Sequence, residues 1–212
     1  MKFATEKLVT VLVLSACLGA GLSACAPLIV GGAVVGSMLA TDRRTTGTQL
    51  DDEGIELRAG SRIREKMGER GHINIVSYNR QVLLTGEVPS AQDKQLAEQV
   101  VSKVENVRVI VNELGVQANT TFSQRSSDAL ITGRVKAALV DARDLFANAF
   151  KVVTERGTTY LMGRVTQREV NRATDIARST PGVLKVVRVL EIISDEELQG
   201  VPPKPAPVEI KK

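Results

Sequence analysis

The chain has 212 residues and a formal net charge of +4, and its apolar content is mainly aliphatic because it contains no Trp, two Tyr and four Phe. A nucleic-acid-binding domain usually has a stronger and more clustered basic excess. Both cysteines, Cys17 and Cys25, lie near the N-terminus, so the rest of the chain forms neither disulfides nor thiolate metal sites. We therefore expect stability to come from packing of Val, Ile, Leu and Ala in small helix-on-sheet domains.

The first 24 residues have the layout of a secretory signal peptide. Lys2 and Lys7 precede an apolar stretch over residues 8–21, and small residues then lead to a cysteine. The run Leu22-Ser23-Ala24-Cys25 resembles the lipobox of bacterial lipoproteins, in which the cysteine thiol takes a diacylglyceryl group and becomes the acylated N-terminus. We therefore predict cleavage before Cys25 and lipid chains as the membrane anchor.

A second copy of this box ends at Cys17, but cleavage there would leave an apolar region of only nine residues, 8–16. Cleavage before Cys25 removes two lysines and one glutamate, which lowers the net charge from +4 to +3. By the same resemblance to lipoproteins, Ala26 in place of Asp implies release to the outer membrane and not retention at the inner membrane.

The segments that flank the central region differ in character. Residues 26–40 are apolar, but these fifteen residues are too few to cross a bilayer. They either lie in the membrane interface or pack on the first domain. Residues 41–49 are polar and typical of a linker. Four prolines within residues 201–212 indicate an extended, disordered tail.

The central region consists of two repeats of one pattern. Residues 73–86 align with 150–163 at an offset of 77, and residues 97–114 align with 173–190 at an offset of 76. Each repeat predicts a helix, a hairpin, a second helix and a strand. In both repeats the apolar residues of the first helix are four apart: Ile55, Ala59 and Ile63, and Ile131, Val135 and Leu139.

Turn and capping residues recur at matching places in the two repeats. The hairpin turns are predicted at residues 78–81 and 155–158. The second helices are predicted to begin at the cap residues Ser90 and Thr166. In the second repeat, Glu169 is spaced so that its carboxylate reaches back to the Thr166 N–H, which is a capping box.

No group of residues in the sequence is typical of catalysis or of metal binding. His72, the single histidine, has no second His or Cys to act with. The acids at 51–53 and the run Ser126-Ser127-Asp128 are expected to cap the first helix of each repeat and to interact with its dipole. The glycines at 31, 32 and 36 do not follow a strand, so they do not indicate a phosphate-binding loop. We predict a protein that is not an enzyme and binds no cofactor and no metal ion.

Each repeat resembles a BON domain. A Leu-x-Gly-x-Val segment precedes the second helix, at residues 84–88 and 161–165, and Asn-Val or Gly-Val precedes the last strand, at 106–107 and 182–183. The resemblance implies an α+β fold of two tandem BON domains, each with the order helix-hairpin-helix-strand. The helices of each domain are expected to pack on a small three-stranded mixed sheet.

Two BON domains behind a lipobox resemble the DolP family of dual BON-domain outer-membrane lipoproteins. Residues 40–52 and 160–169 are also similar to segments of that family, and the similarity covers about residues 1–193. The predicted organisation is a signal peptide at 1–24, an acylated N-terminus and linker at 25–50, a first BON domain at 51–118, a second BON domain at 124–194, and a Pro-rich disordered tail at 195–212.

The two repeats differ on one face of the first helix. The second repeat has an apolar strip there, with Lys136 and Arg143 nearby and Leu145 and Phe146 in the following loop. The strip consists of Leu130, Gly133, Arg134, Ala137 and Val140, and the corresponding first-repeat face is mostly polar, with Gly54, Leu57, Arg58, Ser61 and Arg64. Apolar residues flanked by basic ones suit an anionic lipid surface. The alternative is that the strip packs on the other BON domain.

The family resemblance implies that the second BON domain binds anionic phospholipids such as phosphatidylglycerol and cardiolipin. The predicted contact residues are Leu130, Gly133, Arg134, Lys136, Ala137 and Val140. The resemblance also implies a lipid-anchored location on the periplasmic face of the outer membrane, a role in outer-membrane integrity, enrichment at division sites and contact with the barrel-assembly machinery. Nucleic acid is not an expected partner. The alternative function is a protein-binding adaptor or chaperone of the envelope.

Overall fold

A computed structural model of the protein describes residues 42–198. The predicted signal peptide, the predicted acylation site Cys25 and the proline-containing part of the tail lie outside the described residues. Among the helices of residues 42–198, none has the length and the apolar character needed to cross a membrane.

The first domain begins with a long helix and continues as a hairpin, a second helix and a short third strand. Strand β2 pairs with β1 in an antiparallel manner and with β3 and β4 in a parallel manner. The elements are α1 (Thr46–Met67), β1 (His72–Tyr78), β2 (Gln81–Val88), α2 (Ala91–Ser102), β3 (Val109–Asn112) and β4 (Gly115–Val116). Strands β3 and β4 are one strand interrupted at Glu113 and Leu114, and Leu114 packs in the domain core.

The second domain repeats this order with an unbroken third strand. Its sheet has the order β5-β6-β7, with β5 antiparallel and β7 parallel to β6. The elements are α3 (Phe122–Asp141), a 3₁₀ turn (Ala147–Ala149), β5 (Phe150–Glu155), β6 (Thr158–Val165), α4 (Gln167–Ser179), β7 (Lys185–Ile192) and α5 (Asp195–Leu198). The predicted α+β fold with helix-hairpin-helix-strand order is confirmed.

Each domain has its own core between the two helices and one face of the sheet. The residues predicted from helical spacing all lie in these cores, together with alternate residues of the central strand. In the first domain they include Ile55, Ala59, Ile63, Val82, Leu84 and Ala97. In the second they include Ile131, Val135, Leu139, Leu161, Val165 and Ala173.

The first helices begin earlier than predicted, and their caps are threonines. Thr45 Oγ1 accepts from the Thr48 N–H, and Thr121 forms a capping box with Gln124. The expectation that residues 51–53 and 126–128 cap these helices is therefore wrong, and residues 46–49 belong to α1, not to a linker. The predicted caps of the second helices, Ser90 and Thr166, are confirmed.

Two of the misassigned acids hold the hairpins instead. Asp52 accepts from the backbone N–H groups of Asn79 and Arg80, at 2.8 and 2.7 Å. Asp128 accepts from those of Arg156 and Gly157, at 2.8 and 2.9 Å. All four turn residues have positive φ, which is typical of the tight turns that join antiparallel strands. Each buried carboxylate thus joins a first helix to the hairpin of its own domain.

The two sheets pack against each other on the faces that their helices leave open. Successive residues of a strand point to opposite faces, so β2 and β6 contribute to two cores each. The shared core between the domains consists of Val76, Tyr78, Leu83, Tyr160, Met162 and Val189. The layers therefore run helices, sheet, sheet, helices.

The contacts between the two sheets repeat with approximate twofold symmetry. Tyr78 of the first domain donates to the Ala149 carbonyl of the second at one end of the interface. At the repeat offset of 77, Tyr78 corresponds to Glu155 of the second domain and Ala149 corresponds to His72 of the first. These two residues form the matching pair at the other end of the interface, and their nearest polar atoms are 3.9 Å apart. The two ends therefore have the same geometry but different chemistry.

We predict that Asp52→Ala and Asp128→Ala each lower the free energy of unfolding by about 1–3 kcal/mol, because each leaves two turn N–H groups without their acceptor. Chemical denaturation followed by circular dichroism measures this loss. Asp175→Ala, at an exposed position on α4, is the control and should change stability by less than about 0.5 kcal/mol. Equal effects of all three substitutions would contradict the assigned role of the two carboxylates.

Candidate functional site

The apolar strip of the second domain faces solvent along α3. Leu130 and Val140 are 63% and 68% exposed, which is high for large aliphatic side chains. The other predicted contact residues, Gly133, Arg134, Lys136 and Ala137, are exposed as well. Because Ile131, Val135 and Leu139 point into the core, the helical period places the strip on the outer side of the domain.

The first BON domain does not cover this strip. The second domain contacts the first through the sheet face that carries Tyr160 and Met162, whereas α3 packs on the other face of that sheet. The alternative that the strip is an interdomain contact is therefore wrong. An apolar surface of this kind, rimmed by basic residues, marks a contact site for another molecule.

Two exposed apolar residues that the sequence analysis missed extend the strip. Leu184, 83% exposed, lies in the loop before β7. That loop packs against the strip, since the Pro181 carbonyl is 3.5 Å from Arg134 Nη1. Phe122, 81% exposed, is the first residue of α3 and lies about three turns before Gly133 on the same side of the helix.

A comparison of the two repeats would have identified both residues. At the repeat offset of 76, Leu184 corresponds to Arg108 and Phe122 to Thr46. In both cases a polar residue of the first domain is replaced by an apolar, exposed one in the second. The first domain does expose Leu50 and Leu57 on α1, but the other residues of that face are polar or small.

The loop after α3 is only partly as predicted. Leu145 was expected to lie near the strip, but its side chain is buried in the core of the second domain. Phe146 remains about half exposed, and the guanidinium of Arg43 lies 5.9 Å from its ring centroid. The segment that precedes α1 therefore reaches the loop that follows α3.

Residues 42–45, which we call the strap, bind both domains. Arg43 forms a two-point ion pair with Glu169 at the start of α4, with distances of 2.8 and 2.7 Å. Arg44 pairs with Asp52 of α1 at 2.8 Å, and its guanidinium lies 4.2 Å from the ring centroid of Tyr78. Such two-point and stacked contacts of arginine are specific in geometry as well as strong.

The strap determines the ionisation of Glu169. Burial disfavours the charged form of this side chain, but hydrogen bonds from Arg43 and from Thr166 outweigh burial and hold its pKa below the ordinary value. The Glu169 carboxylate also completes the capping box of α4, as predicted. One buried charge thus links the strap, the helix terminus and the second domain.

His72 is not as isolated as the sequence suggested. The hairpin register places it directly opposite Glu87, and Glu155 of the second domain lies on its other side. This cluster lies at the edge of the interface between the sheets and is separate from the strip. Sequence spacing did not indicate it, because Glu155 is more than 80 residues away along the chain.

Comparisons with known proteins agree with this architecture. The BON domain family matches residues 51–118 and 127–194. Over 175 residues the chain is 40% identical to the outer membrane lipoprotein DolP of Haemophilus influenzae, covering 81% of this chain and 90% of that protein. It is 32% identical over 154 residues to the 21 kDa hemolysin of Actinobacillus pleuropneumoniae, covering 72% and 79% of the two chains.

Among solved structures, the C-terminal domain of CdsD, a structural protein of the type III secretion system of Chlamydia trachomatis, aligns with a TM-score of 0.29 and 12% identity. The alignment covers 67% of this chain and 96% of that chain.

We predict that Arg43→Ala lowers the free energy of unfolding by about 3 kcal/mol, because it leaves the buried Glu169 carboxylate without its cation. The stabilisation exists above the unfolded pKa of Glu and disappears as the pH falls through the depressed folded value. The free energy of unfolding of Arg43→Ala should therefore come closer to that of the unsubstituted protein when urea denaturation is repeated below about pH 4.3.

Arg168→Ala is the matched control for the strap. Arg168 is exposed and lies one residue before Glu169. Its contacts are with exposed atoms of Asp144: it donates to the backbone carbonyl at 3.3 Å and lies 4.0 Å from the carboxylate. We expect a change of less than about 0.5 kcal/mol at any pH. If both arginine variants lost the same stability, or if the loss did not depend on pH, the proposed importance of the Arg43–Glu169 pair would be wrong.

Proposed function

Since the chain belongs to the DolP family of dual BON-domain outer-membrane lipoproteins, we propose that it binds anionic phospholipids through its second BON domain. The protein is a lipid-anchored component of the outer membrane. The observation that carries the proposal is the exposed strip on α3, with the large apolar residues Leu130 and Val140 at its two ends. Phosphatidylglycerol and cardiolipin are the proposed ligands, and catalysis is not part of the proposed function.

The charge on α3 favours an anionic surface. Arg125, Arg134 and Lys136 are exposed, whereas of the two acids in this helix Asp128 is buried and only Asp141 is exposed. Each basic residue near anionic headgroups contributes about 1 kcal/mol. The helix has 20 residues and is about 30 Å long, so it can lie along the membrane surface with its apolar side in the headgroup region.

The apolar contribution to the proposed lipid binding comes from several residues, each of which makes a small contact. Leu130, Val140, Phe122 and Leu184 are large apolar residues on the outer side of the second domain. Gly133 and Ala137 lie between them and keep the middle of the strip flat. A surface of this shape suits shallow contact with many lipids better than enclosure of a single lipid molecule.

The lipid anchor and the strip are proposed to act together. Sixteen residues separate Cys25 from Asp42, the first residue of the strap, and a chain of that length spans at most about 60 Å. The strap contacts Phe146, in the loop that follows α3. The anchor would therefore keep the strip at high local concentration near the membrane, so even weak lipid binding would be effective.

We further propose, on the basis of family membership, that lipid binding supports outer-membrane integrity and enrichment at division sites, and that the protein contacts the barrel-assembly machinery. A protein-binding adaptor or chaperone would use the same strip for an apolar polypeptide. The two functions differ in one measurable property, because only a lipid-binding protein distinguishes anionic from neutral headgroups.

We predict that residues 26–212, which lack the acylation site, bind liposomes of phosphatidylglycerol or cardiolipin more tightly than liposomes of phosphatidylcholine. Leu130→Glu combined with Arg134→Glu should weaken that binding at least about tenfold, since it removes apolar contact and one cation and adds two negative charges near the headgroups. Liposome flotation at several salt concentrations measures the effect.

Leu57→Glu combined with Arg64→Glu is the matched control, because it makes the same chemical change at exposed positions of α1. Thermal unfolding of each variant shows whether the domain stays folded. If both pairs weakened binding equally, or if binding did not depend on headgroup charge, phospholipid binding through α3 would be excluded and the adaptor function would be favoured.

We also propose Cys25 as the acylated residue and predict that Cys25→Ala loses outer-membrane attachment. Residues 26–40 are too few to span a bilayer, so the variant has no alternative anchor in that segment. Membrane fractionation and intact mass spectrometry test this prediction. A variant that stayed in the outer membrane with its signal removed and no acyl mass would show that the anchor lies elsewhere.

A further inference from the structure

Three side chains that suit a metal ion meet at one end of the interface between the sheets. His72 Nδ1 lies 3.6 Å from Glu87 Oε2 and 3.9 Å from Glu155 Oε1. One ligand atom from each residue lies within 4.8 Å of the other two. His72 and Glu87 belong to the first domain and Glu155 to the second, so the cluster bridges the two domains.

The cluster carries more negative than positive charge. Glu87 is fully buried, and both of its carboxylate oxygens have protein partners. Oε1 accepts from Arg156 Nε at 2.7 Å, and Oε2 accepts from the N–H and the hydroxyl of Thr120, both at 3.1 Å. Glu155 faces both Glu87 and Asp128. The three carboxylates of Glu87, Asp128 and Glu155 thus face two guanidinium groups, those of Arg125 and Arg156.

Two buried polar atoms at this place lack a hydrogen-bond partner among the described residues. One is His72 Nδ1, which lies between the two carboxylates, and the other is the hydroxyl of Thr85. Thr85 is fully buried and lies two residues before Glu87 on β2, so both side chains point to the same face of the sheet. Buried polar atoms without a partner are uncommon and indicate a bound ion or water.

The distances suit an ion of the size and preference of Zn²⁺. Its bonds to His nitrogen and carboxylate oxygen are about 2.0–2.2 Å, which places tetrahedral ligand atoms about 3.3–3.6 Å apart. The distance from His72 Nδ1 to Glu87 Oε2, 3.6 Å, lies at the upper end of that range, and the distance to Glu155 Oε1, 3.9 Å, exceeds it by 0.3 Å. An open cleft of about 380 Å³, lined by Asn74, Asp128 and Thr132 among others, adjoins His72 and Glu155 and gives access from solvent.

We propose that His72, Glu87 and Glu155 bind one divalent first-row metal ion, best matched by Zn²⁺, which joins the two BON domains. A water molecule from the cleft would complete the coordination, with the Thr85 hydroxyl within the same buried region. The opposite end of the interface offers no such site, because the residues at the matching positions are Ala149, Arg164 and Tyr78. The site is therefore a property of one end only.

Zinc binding is tested on the mature lipoprotein in detergent, purified with a tag that contains no histidine. Isothermal titration with Zn²⁺ after EDTA treatment should show one site per chain, and thermal unfolding should shift upward by about 5 °C or more with saturating metal. His72→Gln and Glu155→Gln should each weaken binding at least about tenfold. Glu105→Gln, an exposed acid of the same domain as His72, should bind as the unsubstituted protein does.

Glu155→Gln also separates metal binding from a purely structural role. In EDTA it removes one of several crowded negative charges, so its melting temperature should equal or exceed that of the unsubstituted protein. With Zn²⁺ present, the unsubstituted protein should have a higher melting temperature than Glu155→Gln. The proposal fails if the unsubstituted protein shows no saturable heat with Zn²⁺, if all variants bind equally, or if Glu155→Gln melts lower in EDTA and in Zn²⁺ alike.

Discussion

The apolar contact between the two sheets is the interaction on which the rest of the structure depends. The sheet of each domain is only three strands wide, and the helices of the domain cover one of its faces. The other face is apolar and must be covered by another surface. Leu83 and Tyr160, on the central strands, are buried on that second face. The isolated domains would expose these residues to water, and the pairing of the sheets directs both helical layers outward. The outward position of α3, and therefore the accessibility of Leu130, follows from how the sheets pair.

Ion pairs surround this apolar centre as polar residues surround the core of a protein interface. Lys151 of the second domain pairs with Glu56 of the first at 2.7 Å, and Arg156 pairs with Glu87. The strap adds Arg43 on the side of Glu169. Because these pairs have well-defined partners, they orient the two domains, whereas the apolar contact supplies most of the attraction. The lipid-binding face proposed for α3 is thus held in a set orientation relative to the segment that leads to the anchor.

Local patterns predicted most of the fold, and pairings between distant residues account for most of what was missed. The repeat offset of 77 reproduces the register in which Ile73 faces Gly86 and Phe150 faces Gly163. The predicted caps at residues 51–53 and 126–128 were wrong because Thr45 and Thr121, six and five residues before these runs, cap the two helices. Asp52 and Asp128 are therefore free to bind the hairpins. One signal was available but not used: the apolar runs 82–84 and 160–162 are typical of strands buried on both faces. The cluster around His72 had no local signal at all.

The approximate twofold symmetry of the interface has a consequence for which chains can pair. In a pair of first domains, the position of Arg156 would be taken by Asn79, and the buried Glu87 would have no cation. In a pair of second domains, Arg156 would face Arg164 and two like charges would meet. Like-with-like assembly is therefore disfavoured at both ends, while the two unlike domains complement each other and are joined by a short connection. The chemical difference between the two domains therefore favours their pairing within one chain over dimers and open-ended assemblies of several chains.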